Sequence, residues 1–385
     1  MNQDWILWVI AFHVAAVTIF EILAHWTMVR LVKLRSQEIG EFEIWPDVTI
    51  VVAARNEQRD IEPAVRSMLQ LDYPNLHLTV VNDRSTDQTG EILDRIASEN
   101  PRLQVVHIEE LPEGWLGKNY ALQLGSESSK SEYLLFTDAD VTFDPLCLYR
   151  AITYAQQQQL DHLTMFPAMP MPSLWLNAFV VFFVRIFFVF FRAWQVNNPR
   201  RTASLGLGAF NLIRREVYKS IDGHRRISME VVDDLLIGQL IKGAGYKQHV
   251  LQARDDLSVP WYQSLRELVV GLDKNTFAGV GYNPWLMLLC VFAITVTFLW
   301  PFVGVFLTTS TAQWMLGMIC IELIGSSAWM AIRLKINPVC ALLLPWIVVV
   351  FVFTIIRATV LFYVRGGIKW RDTLYTREQL KSNRI

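Results

Sequence analysis

Charge is scarce in this chain. Charged residues make up 18% of its 385 residues, against about 25% in typical soluble chains. The 35 Lys and Arg nearly cancel the 36 Asp and Glu, giving a net charge of −1. Nothing in that balance points to a nucleic-acid partner. Cysteine is scarce too. Cys147, Cys290, Cys320 and Cys340 form no CxxC pair, which argues against a zinc site or a disulfide framework. Three of the four lie in apolar runs and read as small buried hydrophobes. No GxGxxG follows the first strand pattern, which argues against a nicotinamide or flavin site, and no GxxxxGK[ST] phosphate loop occurs.

Apolar sequence is abundant instead. Hydrophobic residues reach 52% and aromatics 12%, which excludes a disordered chain. The run from Trp5 to about Leu31 is long enough for a bilayer of ~30 Å, which needs about 20 residues. It lacks the basic start and small-residue cleavage site of a signal peptide. Arg30, Lys33 and Arg35 follow it and place its C-terminal end in the cytoplasm by the positive-inside rule. His13, Glu21 and His25 within it are expected to face other helices or the interface.

Pro284–Leu307, Trp314–Ile332 and Pro338–Val364 are three further candidate spans. Uncharged Thr308–Gln313 suits an external loop, and Arg333 and Lys335 suit the cytoplasm. The last run carries Pro345 and Arg357, and a simple crossing would put Arg365, Lys369 and Arg371 outside. A re-entrant hairpin is the alternative there. Ser173–Trp194 is also apolar, but Asn177, Arg185 and Arg192 argue for a segment lying in the interface plane, its arginines near lipid head groups. The domain plan is therefore 1–35, an N-terminal span with a basic flank; 45–280, a soluble domain containing the interfacial segment 173–194; and 284–385, a C-terminal membrane cluster and tail.

Between the apolar runs, short β-branched stretches alternate with amphipathic ones. Strands are expected at Asp47–Ala54, Leu76–Asn82, Leu103–Ile108 and Glu132–Asp138. Helices are expected at Ile61–Leu71, with Asp60 as N-cap, at Asp87–Glu99 and at Lys118–Ser129. The alternation predicts an α/β fold with a mostly parallel sheet. Ligands bind such sheets at the carboxyl ends of the strands. The residues there are polar and acidic: Arg55, Asn56 and Glu57; Asn82, Asp83, Arg84 and Ser85; Asp138 and Asp140. Two carboxylates two residues apart at a strand end can converge on one hard divalent cation, although a solvated turn is the alternative for such a triplet alone.

The triplet has company. Ala54-Arg-Asn-Glu57, Val80-Val-Asn-Asp83-Arg-Ser-Thr-Asp87, Gly114-Trp-Leu-Gly-Lys118 and Thr137-Asp-Ala-Asp140 together resemble the family 2 glycosyltransferases in order and spacing. Gly208-Ala-Phe-Asn-Leu-Ile-Arg-Arg215, Asp222-Gly-His224 and Glu230-Val-Val-Asp-Asp234 continue the resemblance, which covers roughly Val48 to Gly281. Within that family the chain is most similar to membrane-bound, lipid-directed members: the hopene-associated, carotenoid and ceramide glycosyltransferases.

The resemblance implies a GT-A fold, Rossmann-like, and a nucleotide-diphosphate sugar donor, most simply a UDP-hexose. It implies that Asp83, helped by Glu57, binds the nucleobase; that Asp138 and Asp140 hold ribose and a divalent Mg²⁺ or Mn²⁺; that Lys118 sits beside the nucleotide; and that Asp234 is the general base. Asp233 then reads as a carboxylate stabilised by the helix dipole. A base opposite the leaving group implies inversion. The implied partners are the nucleotide sugar, a membrane-lipid acceptor bearing a hydroxyl and the bilayer itself, with no nucleic acid, and the implied location is a bacterial-type inner or plasma membrane with a cytoplasmic site.

Two departures from the family pattern stand out. No (Q/R)xxRW motif follows the base, which disfavours polymer synthesis, and Asn82 replaces the first Asp of a common Asp-Asp pair. A processive synthase, a polyprenyl-phosphate sugar transferase and a non-catalytic membrane scaffold are the competing readings.

Overall fold

A computed structural model describes residues 4–40, 42–370 and 373–382. Arg371 lies outside them. The chain divides into two compact units: 1–30, 171–192 and 261–377 form one, and 31–170, 193–260 and 378–385 the other.

The second unit is built on a seven-stranded sheet. Its strands are β1 (Val48–Ala54), β2 (Leu76–Asp83), β3 (Leu103–Ile108), β4 (Tyr133–Asp138), β6 (His162–Phe166), β7 (Asn211–Arg214) and β8 (Gln248–Gln252); β5 (Thr142–Phe143) and β9 (Leu257–Ser258) form a separate antiparallel pair. The order in the sheet is β3-β2-β1-β4-β7-β6-β8. Pairings β1–β2, β2–β3, β1–β4 and β6–β8 are parallel, and β7 runs antiparallel between β4 and β6. In β1, every residue but Ala53 is buried, as expected of a strand covered by helices on both faces.

The helices follow from periodicity. In Ile61–Leu69 the buried residues are Ile61, Ala64, Val65, Met68 and Leu69, the i, i+3, i+4 stripe of an amphipathic helix. Fully burying side chains such as Ile61 and Met68 is worth roughly 1.5–3 kcal/mol each. Asp60 takes the N-cap position but makes no side-chain cap bond; its carboxylate pairs with Arg59 at 3.1 Å. The cap expected from the sequence is thus replaced by a neighbouring ion pair. The outer edge of β8 is covered: Gln252 N–H donates to Val32 O at 2.8 Å, and Asn197 brackets Val250 through both its amide atoms. An edge strand so covered offers no template for pairing with other chains.

Strand order reverses direction of growth at β1, whose neighbours are β2 and β4. Ala54 pairs with Asn82 and Ala53 with Asp138. The register therefore delivers Arg55–Glu57, Asp83 and Asp138–Asp140 to one edge of the sheet, at the switch point where open α/β sheets bind ligands.

The first unit is helical. Among the described residues, four helices are long and apolar enough to cross a membrane: Trp5–Arg30, Pro284–Leu307, Ser310–Arg333 and Pro338–Arg365. In the last, a helix runs unbroken over Leu344–Arg365 with Pro345 in its first turn, where a missing N–H costs nothing. The hairpin alternative is corrected accordingly. Arg357 pairs with Asp273. The helix Leu174–Phe190 belongs to this unit. Its Arg185 is fully buried and pairs with Glu21, and it also donates to Ser327. Arg185 thus does not reach lipid head groups as expected; a carboxylate from a distant helix meets it in the interior, and a buried charge persists only when so paired.

Candidate active site

The site is assembled at the carboxyl ends of β1, β2 and β4. Two loops there are laced by side chains: Asn56 N–H donates to Ser85 Oγ at 3.0 Å, Thr86 N–H to Asn56 Oδ1 at 2.8 Å, and Glu57 N–H to Thr89 Oγ1 at 2.8 Å. Asp83 is buried at the end of β2. Its carboxylate receives Arg84 Nε at 2.7 Å and faces Arg55 at 3.6 Å. Its other oxygen lies against the backbone of Gly117, where a Cβ would come within 2.1 Å. Glycine is required there, because the Gly114–Lys118 segment passes directly over the Asp83 carboxylate.

The next residue, Lys118, opens the helix Gly117–Glu127. Its Nζ is 2.9 Å from Asp138 Oδ1 and 3.3 Å from Asp233 Oδ2. Burial works against this ammonium, but Asp138, Asp233 and Asp234 outweigh it and hold its pKa well above the ordinary lysine value. Asp233 and Asp234 begin the helix Asp233–Gly243, where the dipole favours carboxylates. Lys118, Asp138, Asp233 and Asp234 line one cavity together with Gly208, Asn211 and His224.

Asp234 is aimed by two backbone donors: Gly208 N–H to Oδ2 and Leu235 N–H to Oδ1, both 2.8 Å. Gly208 in turn accepts from Asp138 N–H at 2.9 Å through its carbonyl. A Cβ at Gly208 would sit 2.3 Å from Asp138 Oδ2. One glycine therefore ties the end of β4 to the start of the helix Asp233–Gly243. Burial, then the neighbouring Asp233, push the Asp234 carboxyl up to about 6, with Lys118 opposing. That value suits a group that must accept a proton near neutral pH. His224 cannot compete for that role: burial, then Lys118, push it down to about 3, and its Nδ1 is 2.8 Å from the Tyr218 hydroxyl.

Asp140 lies beside Asp138, Glu57 and Asp60. Burial, then Asp138 and Glu57, push it up to about 7. Such crowding of carboxylates is relieved by a cation. Among the described residues no group of three or more His, Cys, Asp or Glu is placed to enclose a metal. Asp138 and Asp140 fit the other case, a hard divalent ion held by one or two carboxylates that completes its shell with phosphate oxygens and water.

The structure thus gathers Lys118, Asp138 and Asp234 around one cavity and sets Asp83, Asp140 and Glu57 at the same sheet edge. Sequence reasoning missed the contact of Asp233 with Lys118, since Asp233 reads there only as a helix-start carboxylate, and the link made by Gly208, which reads only as the first residue of the Gly208–Arg215 motif.

Residues 49–221 match the Glycosyl transferase family 2 domain. The chain is 22% identical over 257 residues to a 4,4'-diaponeurosporenoate glycosyltransferase of Staphylococcus haemolyticus (strain JCSC1435), covering 65% of this chain and 67% of that one. It is 24% identical over 238 residues to the enzyme of the same name from Staphylococcus aureus (strain USA300), covering 61% and 62%. The matched region thus spans just under two thirds of the latter relative's length. Among solved structures, the mannosyltransferase PcManGT from Pyrobaculum calidifontis, in complex with GDP-Man and Mn²⁺, superposes with a TM-score of 0.55 at 17% identity, covering 88% of this chain and 98% of that one. The α/β fold with its mostly parallel sheet is the GT-A fold.

Proposed function

We propose that this chain, a glycosyltransferase carrying a family 2 domain, moves a hexose from a nucleotide-diphosphate sugar to a hydroxyl of a membrane lipid, with inversion at the anomeric carbon. The observation that carries the reading is the Gly208 link: its carbonyl accepts from the Asp138 backbone N–H and its N–H donates to the Asp234 carboxylate, so one residue's backbone ties both acids to one cavity. A donor-binding carboxylate and a proton acceptor held so close suit a displacement in which bond breaking and proton removal are concerted.

Asp83, with Glu57 nearby, takes the nucleobase. Asp138 and Asp140 hold a divalent cation, Mg²⁺ or Mn²⁺, which when bound neutralises charge building on the leaving diphosphate. Asp234 accepts the proton of the incoming hydroxyl as the new glycosidic bond forms, a contribution of about 10²–10⁴-fold. The backbone donors from Gly208 and Leu235 keep its two oxygens oriented throughout. His224 stays neutral and serves as cavity wall.

The relatives' names support an isoprenoid-derived acceptor, and the mannosyltransferase's bound GDP-Man and Mn²⁺ support a nucleotide sugar with a metal. UDP is the simplest nucleotide, with GDP the first to set beside it. The four apolar helices suit an enzyme resident in the bilayer in which such an acceptor dissolves, and the basic residues after the first span support a cytoplasmic site.

The test is radiolabelled transfer from a panel of UDP- and GDP-sugars by the full chain in native membrane lipids with Mn²⁺ or Mg²⁺. Label in a small organic-extractable lipid, abolished by chelator, is the expected result. Label in insoluble polymer would instead make it a polysaccharide synthase, and donor binding without turnover of any donor would favour a scaffold.

A further inference from the structure

We propose that Lys118 is a built-in counter-ion that occupies the metal-binding face of Asp138 until a nucleotide diphosphate arrives, so that divalent cation and nucleotide bind together and the cation binds poorly alone. The inference rests on the reading of Asp138 and Asp140 as metal ligands.

The two oxygens of Asp138 are differently engaged. Oδ1 lies 2.9 Å from Lys118 Nζ. Oδ2 is pressed against the backbone of Gly208, where even a methyl group would find no room. A cation that engages Oδ1 of Asp138 therefore has to take that oxygen from an ammonium or share it with one, against the repulsion of two like charges.

The backbone that carries Lys118 is pinned. The next residue, Asn119, is fully buried, and its Nδ2 donates to the carbonyls of Ile227 at 2.7 Å, Ser228 at 3.2 Å and Glu230 at 2.9 Å. Leu116 N–H donates to Ser228 O at 2.8 Å. These bonds pin the start of the helix Gly117–Glu127 to the segment that leads into the base helix. From that fixed backbone the Lys118 ammonium reaches Asp138 at 2.9 Å and a second partner, Asp233, at 3.3 Å.

A diphosphate changes the balance. It brings negative charge of its own, which an ammonium and a divalent cation can share without competing for one carboxylate oxygen. Asp233 then acts as the resting partner of Lys118 when Asp138 turns to the metal. This gives Asp233, at the start of the helix Asp233–Gly243, a reason to be an acid beside the base.

The test is Mn²⁺ titration of the full-length protein in detergent, followed by the electron paramagnetic resonance signal of free Mn²⁺, with and without UDP or GDP. Wild type, Lys118→Met, Lys118→Gln and Asp138→Asn are compared, each with a thermal melt to confirm folding. Expected are weak Mn²⁺ binding by wild type alone and binding about tenfold or more tighter with one of the nucleotides. A folded Lys118→Met or Lys118→Gln protein is expected to bind Mn²⁺ about tenfold or more tighter than wild type without nucleotide. Unchanged or weaker binding by the folded Lys118 variants, with Asp138→Asn still abolishing it, overturns the counter-ion role and leaves the metal reading standing. Mn²⁺ binding that Asp138→Asn leaves untouched overturns the metal reading itself, and the proposal with it.

Discussion

Each unit sets one cation against carboxylates, Arg185 fully buried and Lys118 partly so, and their surroundings differ. In the helical unit, Arg185 meets one carboxylate, Glu21, with Ser327 taking another of its donors and Ser326 bonding both Glu21 and His25. Charge there balances one to one. In the sheet unit, Lys118 faces Asp138, Asp233 and Asp234, and the acids outnumber the cation. A balanced pair sealed from solvent holds helices in place, with no surplus charge. A surplus of carboxylate around one lysine costs stability and is relieved by a bound cation. The imbalance, more than burial or charge alone, separates the reacting site from the architectural one.

Variants can break this comparison. The largest effect is expected from Arg185→Met. It strands Glu21 in the interior, which costs about 3–5 kcal/mol, read as a lowered melting temperature in detergent. Adding Glu21→Gln should restore most of it, because the double variant leaves no unpaired charge. Asp138→Asn and Asp140→Asn should do the opposite. Transfer falls by roughly 10²–10³-fold, as when a transition-state charge stabiliser is removed, yet the melting temperature holds or rises. Asp140 is pushed up to about 7 by burial and by its acidic neighbours, so above that pH a neutral amide removes an unfavourable charge.

Gly208→Ala sharpens the comparison by geometry alone. Its methyl would press on Asp138 Oδ2, and displacing the carboxylate by a fraction of an ångström should cost about tenfold to a hundredfold in transfer, measured as kcat and as the KM for metal. The smallest effect is on pH. Asp234 sits at about 6, and the base acts only when ionised, so transfer should decline as pH falls through about 6. Asp138 is one of the charges raising that value, so residual activity of Asp138→Asn should show its acid limb at lower pH.

Much of this was legible in the sequence. The four strands β1 to β4 were marked by short apolar runs between polar ends, and their boundaries agree within a residue. Glu57, Asp83, Asp138 and Asp140 were found because parallel topology sends every strand's carboxyl end to one edge. The later strands β6, β7 and β8 were not individually read: residues 171–192 interrupt the sheet unit between β6 and β7, and the antiparallel insertion of β7 leaves no local signal. Arg185 was misplaced because its partner, Glu21, is 164 residues away. An arginine in an apolar run looks the same whether it snorkels to head groups or meets a buried acid. The role of Asp233 was hidden for the same reason. A helix-start carboxylate is satisfied by the dipole alone, and only the fold brings Lys118 to it from more than a hundred residues upstream.

The central claim is that Asp234, held by Gly208 at the acid-rich cavity, removes the acceptor's proton. The most direct measurement compares initial rates of sugar transfer into organic-extractable lipid by wild-type and Asp234→Asn proteins at saturating donor and neutral pH, with matched melting temperatures. A fall of about 10²–10⁴-fold with the donor KM little changed is predicted. Undiminished transfer by the folded variant would contradict the account, and would point to an acceptor that arrives already ionised, such as a polyprenyl phosphate.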